Sequence, residues 1–303
     1  MAYNCVVLVK QVPDTKRITG KAMNDDGTVN RSALPAILNP EDLNALEMAL
    51  DIKDKFGGAV TVITMGLPAA ASILREALYR GADDAILITD ARCAASDTLA
   101  TSYILSCAVK QFKYDVVLCG RQAIDGDTAQ VGPQLAEKLG LPQITYVEKL
   151  IELKDRTIIA QRNIGNGWQK VKAALPVLLT VTADANEPRV AAAKKMMKYK
   201  SALAPCEINQ KIKTENPNAA TDELNELVIR KGHELDNKGL LIKQWNLDFL
   251  KADLTWCGRT GSPTKVHRIQ SVVLAAKESK TIEPTDAGLT DMIHELIEDK
   301  IIA

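Results

Sequence analysis

Aromatic residues are scarce, at 4% of 303 residues. That leaves too few rings for the stacking platforms on which single-stranded nucleic acids are held. Neither sign of charge is in excess: Lys+Arg and Asp+Glu are both 38, so no overall field favours nucleic acid or an acidic membrane surface. No apolar run approaches membrane-spanning length. The opening "MAYNCVVLVKQVPDT" enters a strand-like run at once, so neither a signal nor a transit peptide is expected, and the expected location is cytoplasmic. The six cysteines (Cys5, Cys93, Cys107, Cys119, Cys206, Cys257) are scattered, with no C-x-x-C pair and no nearby histidine. Buried reduced thiols are the expectation. His233, His267 and His294 also stand apart, so no metal site is expected. The G-x-G-x-x-G fingerprint, the Walker pattern and the serine elbow are all missing. What remains is a site for binding and orientation rather than for acid–base or nucleophilic chemistry, with no catalytic side chain assigned.

What is present reads as an ordinary globular chain, 46% hydrophobic and 25% charged. Short, near-continuous apolar runs recur: "CVVLV" (5–9), "AVTVIT" (59–64), "AILIT" (85–89), "VVLC" (116–119) and "VLLTVTA" (177–183). Such runs suit strands covered on both faces. Helical patterns lie between them: Leu43, Leu46, Ala49 and Leu50 share one face, as do Ile73, Leu74, Ala77 and Leu78, and two more helices are expected near 98–112 and 130–139. The alternation predicts an α/β fold, doubly wound on a mostly parallel sheet. Asn39 is placed to cap a helix with Pro40 at its first position and Glu41 and Asp42 at its positive end. Gly81 and Gly140 stand where left-handed helix stops belong, and "IIAQRNIGNGWQKVKAALP" (158–176) reads as a hairpin. After about Pro188 the texture becomes basic and then polar, with a last strand-like run at 270–276 and a helix over 286–300. The expected division is a nucleotide-binding domain over 1–204 and a C-terminal extension over 205–303.

Ligands of doubly wound sheets bind outside the carboxyl ends of the strands. Four such ends are rich in small or hydroxyl residues: "VKQVPDT", "MGLPAA", "DARCAASDTLATS" and "GRQAIDGDTAQVG" (120–132). The last is a strand, a small-residue turn and a helix start, the physical recipe for an anion cradle, although such turns are also ordinary connections. Thr98, Thr101 and Ser102 can offer hydroxyl and N–H groups at one helix start, Thr128 and Gln130 at another. Lys10 and Arg121 are the candidate cations. Asp125 and Asp127 form a D-x-D pair that suits turn acceptors better than a magnesium site.

"VVLVKQVPDT" (6–15), "NPEDLNALEMAL" (39–50), "TMGLPAAASILREALYRGADDAILITD" (64–90) and "CGRQAIDGDTAQVGPQLAEKLGLP" (119–142) together resemble the electron transfer flavoprotein beta subunit. "LPVLLTVTADANEPRVAAAKKMMKYK" (175–200) and "GRTGSPTKV" (258–266) extend the likeness. The resemblance implies a heterodimer with an alpha subunit and a cofactor pocket at Val9, Lys10, Asn39, Met65, Gly66, Thr98 and Thr101. The pocket would also include the loop residues Gly120, Arg121, Ala123, Asp125, Gly126, Asp127, Thr128, Gln130, Val131 and Gly132. The loop "DGDTAQVG" resembles the bifurcating, FixA-type branch, with Gly126 and Ala129 leaving room for FAD in place of the AMP of the non-bifurcating branch. A branched side chain at Gly126 is expected to obstruct the ligand and to meet a forbidden φ. That branch implies NADH as transient electron donor, with ferredoxin and an FAD-dependent dehydrogenase as partners, and redox activity only as a subunit of such a complex. The alternatives are a non-bifurcating electron carrier with structural AMP and a nucleotide-binding regulatory module without redox function. Two departures bear on partners: Gly165 and Asn166 replace the acidic hairpin residues usual in the family, and Ala193 and Lys194 replace the usual leucine and proline of the dehydrogenase-recognition loop.

Overall fold

The computed structural model describes residues 1–14, 35–264 and 281–298. Cys5–Leu8 (β1) opens the sheet, and a short antiparallel pair, Gln11–Pro13 (β2) with Ala36–Leu38 (β3), leads to the helix Pro40–Phe56 (α1). Val60–Met65 (β4), Ala71–Arg80 (α2), Asp84–Ile88 (β5), Thr98–Val109 (α3), Val116–Gly120 (β6) and Val131–Leu139 (α4) complete the alternation. Three longer strands follow, Gln143–Lys154 (β7), Thr157–Asn163 (β8) and Trp168–Ala174 (β9), then Val177–Val181 (β10). The remainder is mostly helical: Ala193–Tyr199 (α5), Pro205–Glu215 (α6), Thr221–Asn237 (α7), the short strand Lys243–Trp245 (β11) and Asp286–Glu298 (α8). The strand-like run at 270–276 lies outside the described residues.

The main sheet has nine strands in the order β11-β5-β4-β1-β6-β10-β7-β8-β9. From β11 to β7 every pairing is parallel, and β8 and β9 add an antiparallel edge. Successive residues of β1 point to opposite faces, and both faces are buried. Val7, Val62, Leu87, Leu118 and Leu179 pack with Leu46 and Leu50 of α1 and Leu74 of α2. Val6, Leu8, Ile63, Ile86 and Val117 pack with Ile104 of α3 and Leu135 of α4. Burying each such side chain contributes about 1.5–3 kcal/mol, which is why these strands read as continuous apolar runs.

The helix stops fall as expected, with Gly81 at φ 132 and Gly140 at φ 64. Asn39 does not cap α1, because its side chain is used elsewhere. The predicted hairpin is β8–β9, with Ile164 N–H donating to the Gly167 carbonyl across its turn at 3.0 Å. In the polar C-terminal stretch, α6 and α7 bury Ile208, Ile212 and Leu235 between them. Arg75 of α2 fastens α6 through Glu207 at 2.8 Å, and β11 adds to the sheet beside β5. All six cysteines are free thiols. Among the described residues no helix is long and apolar enough to cross a membrane, and no group of three or more His, Cys, Asp or Glu side chains is placed to hold a metal.

Candidate functional site

The chain runs from β1 outward to β4 and β5, then returns to the other side of β1 to form β6. The strand order therefore reverses between β1 and β6, and a crevice opens between their carboxyl ends, where ligands of such sheets bind. Val9, Lys10, Gly120 and Arg121 stand at that point.

The N-terminus of α1 is built into the crevice. Asn39 donates its side-chain N–H to the Gln122 carbonyl at 2.9 Å and accepts from Ile124 N–H at 3.1 Å, so it pins the loop after β6 instead of capping its own helix. Glu41 accepts from the Arg121 guanidinium at 2.7 Å and from Gln122 N–H at 2.9 Å. Asp42 accepts from Lys10 N–H at 2.8 Å and Gly120 N–H at 2.9 Å, tying one strand end to the other. Burial is the main cause that pushes the Asp42 carboxyl up to about 7, and the neighbouring Glu41 adds to it. A Cβ at Gly120 would stand 2.6 Å from Asp42 Oδ1 and 2.8 Å from the Glu41 backbone, so glycine is needed here for close packing. Gly132 is needed likewise: a Cβ there would meet Thr180 Cγ2 at 2.7 Å and Cys119 Sγ at 2.9 Å.

The expected cations are already engaged. Lys10 Nζ pairs with Asp125 at 2.7 Å, and Arg121 with Glu41. Asp127 accepts from Gln122 Nε2 at 3.0 Å, while the Ala123 carbonyl accepts from Gly126 and Asp127 N–H, so both aspartates serve the loop. Thr98 and Gln130 are brought together, the hydroxyl donating to Oε1 at 2.8 Å, and Gln134 approaches Thr98 from below at 3.4 Å. Thr101 lies one turn into α3, its N–H donating to the Asp97 carbonyl. Met65 ends β4 and Gly66 follows it, the Gly66 N–H donating to the Ile88 carbonyl at 3.0 Å.

The two helix starts differ. Asp97 caps α3 by accepting from Ala100 N–H at 2.9 Å, which satisfies that end internally. Helix α4 has no side-chain cap. Its leading amides, at Val131 and Gly132, have no intrahelical acceptor, and the positive end of its dipole faces the loop. The exposed Thr128 hydroxyl stands just before them. Such an end suits a phosphate, and here it supplies the positive potential that the paired Lys10 and Arg121 do not. Gly126 departs from expectation: among the described residues nothing stands within 4 Å of a Cβ built there, and its φ is outside the left-handed region. The left-handed positions are its neighbours, Asp127 at φ 47 and Ala129 at φ 53.

A cavity of about 470 Å³ adjoins the crevice and shares Glu41 and Arg121 with it. Tyr146 lines its far side in an unusual left-handed conformation at φ 58, beside a bulge in the β7–β10 pairing, with the Arg121 guanidinium 5.6 Å above its ring.

A model of the electron transfer flavoprotein domain matches residues 26–204. This chain belongs to the electron transfer flavoprotein family. An electron transfer flavoprotein subunit beta from Clostridium acetobutylicum is 37% identical over 299 residues, spanning 99% of this chain and 100% of that protein. Protein FixA of Sinorhizobium fredii is 37% identical over 300 residues, 96% of this chain and 91% of its own. Subunit CarD of the caffeyl-CoA reductase-Etf complex of Acetobacterium woodii is 48% identical over 186 residues, 61% of this chain and 70% of its own. Two of these relatives are named as subunits, one of an electron transfer flavoprotein and one of a reductase complex, so a redox role as a subunit fits this electron transfer flavoprotein chain.

Sequence reasoning missed the work of Glu41 and Asp42. Two acids after a proline at a helix start read as partners of the helix dipole, and only the tertiary fold brings them under the strand ends. Tyr146 also escaped notice, because "QITYVEKLIELK" has no marked apolar alternation around it.

Proposed function

We propose that this chain is the beta subunit of an electron-bifurcating flavoprotein, that its switch-point crevice holds FAD, and that it takes electrons from NADH. The observation that carries the reading is the uncapped start of α4, facing the switch point beneath a loop whose centre, at Gly126 to Thr128, is exposed. That combination fits a pyrophosphate on the Val131 and Gly132 amides and the Thr128 hydroxyl, with no side chain at Gly126 to limit a ligand longer than a mononucleotide. When bound, the flavin supplies two-electron exchange with NADH and one-electron exchange with the acceptors. The chain binds it, orients it and excludes water. In that reading the bound flavin would supply one electron to ferredoxin and one toward an alpha-subunit FAD and a partner dehydrogenase; relatives named FixA and a subunit of a caffeyl-CoA reductase-Etf complex support a role in such a complex.

The pocket is assigned to Val9, Lys10, Asn39, Met65, Gly66, Thr98, Thr101 and the loop from Gly120 to Gly132. Residues 205–303 are assigned as an extension that packs on the alpha subunit, and the exposed stripe Leu289, Ile293 and Ile297 on α8 supports a partner there. The test is anaerobic: with its alpha subunit and partner dehydrogenase, the complex should reduce ferredoxin at the expense of NADH only while the dehydrogenase's acceptor is present. NADH oxidation without ferredoxin reduction would contradict bifurcation.

The recognition segment offers small or charged side chains, Ala191 to Ala193 and then Lys194, where a leucine anchor would contribute about 1.5–3 kcal/mol by burial. Weak or no electron transfer to a medium-chain acyl-CoA dehydrogenase is expected, measured as flavin reduction in mixed assays. Efficient transfer would show that docking does not depend on that anchor.

A further inference from the structure

Asp42 is a buried carboxylate, only 6% exposed, that no step of the proposed electron transfer uses. Its two oxygens are divided between the two sides of the crevice: Oδ2 accepts from Lys10 N–H after β1, and Oδ1 accepts from Gly120 N–H at the end of β6. Among the described residues no cation pairs with this carboxylate. Lys10 Nζ is turned to Asp125, and the Arg121 guanidinium to Glu41. Two other titratable groups face it: Glu41 on its own helix raises its pKa, and the Cys119 thiol on β6 is pushed up by burial and then by Asp42. Asn39, which is neutral, adds a hydrogen bond.

We infer that Asp42 is the positioning residue of the crevice: ionised, it clasps both strand ends at the spacing the ligand requires, and protonated, it releases one of them. The inference rests on the reading that the crevice binds FAD. Its logic is that of hydrogen-bond capacity. A carboxylate accepts from both amides, whereas a protonated carboxyl turns one oxygen into a donor that faces an N–H. The switch lies near neutrality because the carboxyl is pushed up to about 7.

The effect on stability runs the other way. A carboxyl raised in the folded state contributes stability that is present below its unfolded value and lost as pH rises through the folded one. Asp42 therefore makes the fold more stable toward acid while making the crevice a poorer site there. A merely structural carboxyl would move stability alone.

The experiment measures FAD affinity of the full-length chain at about pH 6 and about pH 8, with thermal unfolding followed in parallel. FAD is the probe because its pyrophosphate diester has no group that titrates in this range, unlike the terminal phosphate of AMP. The expected result is affinity lower at the acid end by up to about 10-fold, the ratio of the ionised fractions at the two pH values, together with a fold at least as stable there. Asp42→Asn should bind weakly at both pH values, with a flat profile, because its amide can accept only one of the two N–H groups. The wild-type profile decides the matter even if that variant does not fold. Affinity that tightens on acidification would mean that charge repulsion with the ligand outweighs positioning, and would overturn the inference. A wild-type chain that binds FAD equally at both pH values overturns the role of Asp42 and leaves the functional reading standing. A chain that binds no FAD at either pH overturns both.

Discussion

Asp42 and Asp90 present their carboxyl groups at the same carboxyl-end edge of the same sheet, Asp42 buried and Asp90 partly so. Each accepts from two backbone N–H groups, Lys10 and Gly120 for Asp42, Arg92 and Leu247 for Asp90. Their acidities are nonetheless driven apart, to about 7 for Asp42 and about 2 for Asp90. Two things differ: Asp42 is the more deeply buried, and Asp90 has a guanidinium. Arg92 donates to Asp90 through Nε at 3.0 Å and Nη2 at 2.6 Å, then reaches on to Asp248 at 2.7 Å. That link fastens the segment after β11 beside the end of β5. At the switch point the available cations are spent on Asp125 and Glu41, and Asp42 is left to burial. Backbone hydrogen bonds alone do not keep a buried carboxyl acidic; a paired charge does. The strand end that needs only to be fastened carries the pair, and the strand ends proposed to receive a ligand do without it, as perturbed groups at functional sites often do.

Four changes would break or sharpen that contrast. The largest effect is expected from Gly120→Ala, since its methyl group would press on Asp42 Oδ1 at 2.6 Å and on the Glu41 backbone. Overpacking of this kind costs about 1–3 kcal/mol, so the unfolding midpoint should fall and the bound flavin should be lost with it. Thr128→Val comes next. Its side chain is exposed, so the fold should be unaffected, but losing a charge-assisted hydrogen bond to the ligand should weaken flavin binding by about 10- to 150-fold. Equilibrium dialysis would check it, and full retention of flavin would remove Thr128 from the site.

The third change acts on the fastened end. A carboxyl held below its unfolded value contributes stability that is present above that value and lost as pH falls through the folded one. For Asp90 the window lies between its ordinary 3.8 and about 2. Asp90→Asn should therefore lower the unfolding midpoint near neutral pH and flatten its decline in acid, where the wild type converges on it. The smallest effect is expected from Gly126→Ala. No atom of the described residues lies within 4 Å of the added methyl group, and no left-handed φ is at stake, so stability should be unchanged. A marked loss would show that the loop is packed more tightly than its exposed centre indicates.

The sheet itself was legible because β1, β4, β5, β6 and β10 are buried on both faces and so carry almost unbroken apolar runs. Helices α1 to α4 were legible from their spacing, and Gly81 and Gly140 from helix-stop chemistry. The long strand β7 was not, since the half-exposed Glu148 and the exposed Lys149 and Glu152 interrupt its pattern. β11 was too short to signal at all. At the site, glycines and hydroxyls marked the right loop, but pairing across the chain decided what each residue does. Lys10 meets Asp125 and Arg121 meets Glu41 over separations of 115 and 80 residues. No local pattern reports such partners, and none distinguishes Gly120, which is sterically locked, from Gly126, which stands open.

The central claim is that the crevice between β1 and β6 holds FAD. It is tested most directly by denaturing the complex purified with its alpha subunit and counting the nucleotides released by chromatography. Two FAD per heterodimer with essentially no AMP is the predicted result; one FAD and one AMP would contradict it.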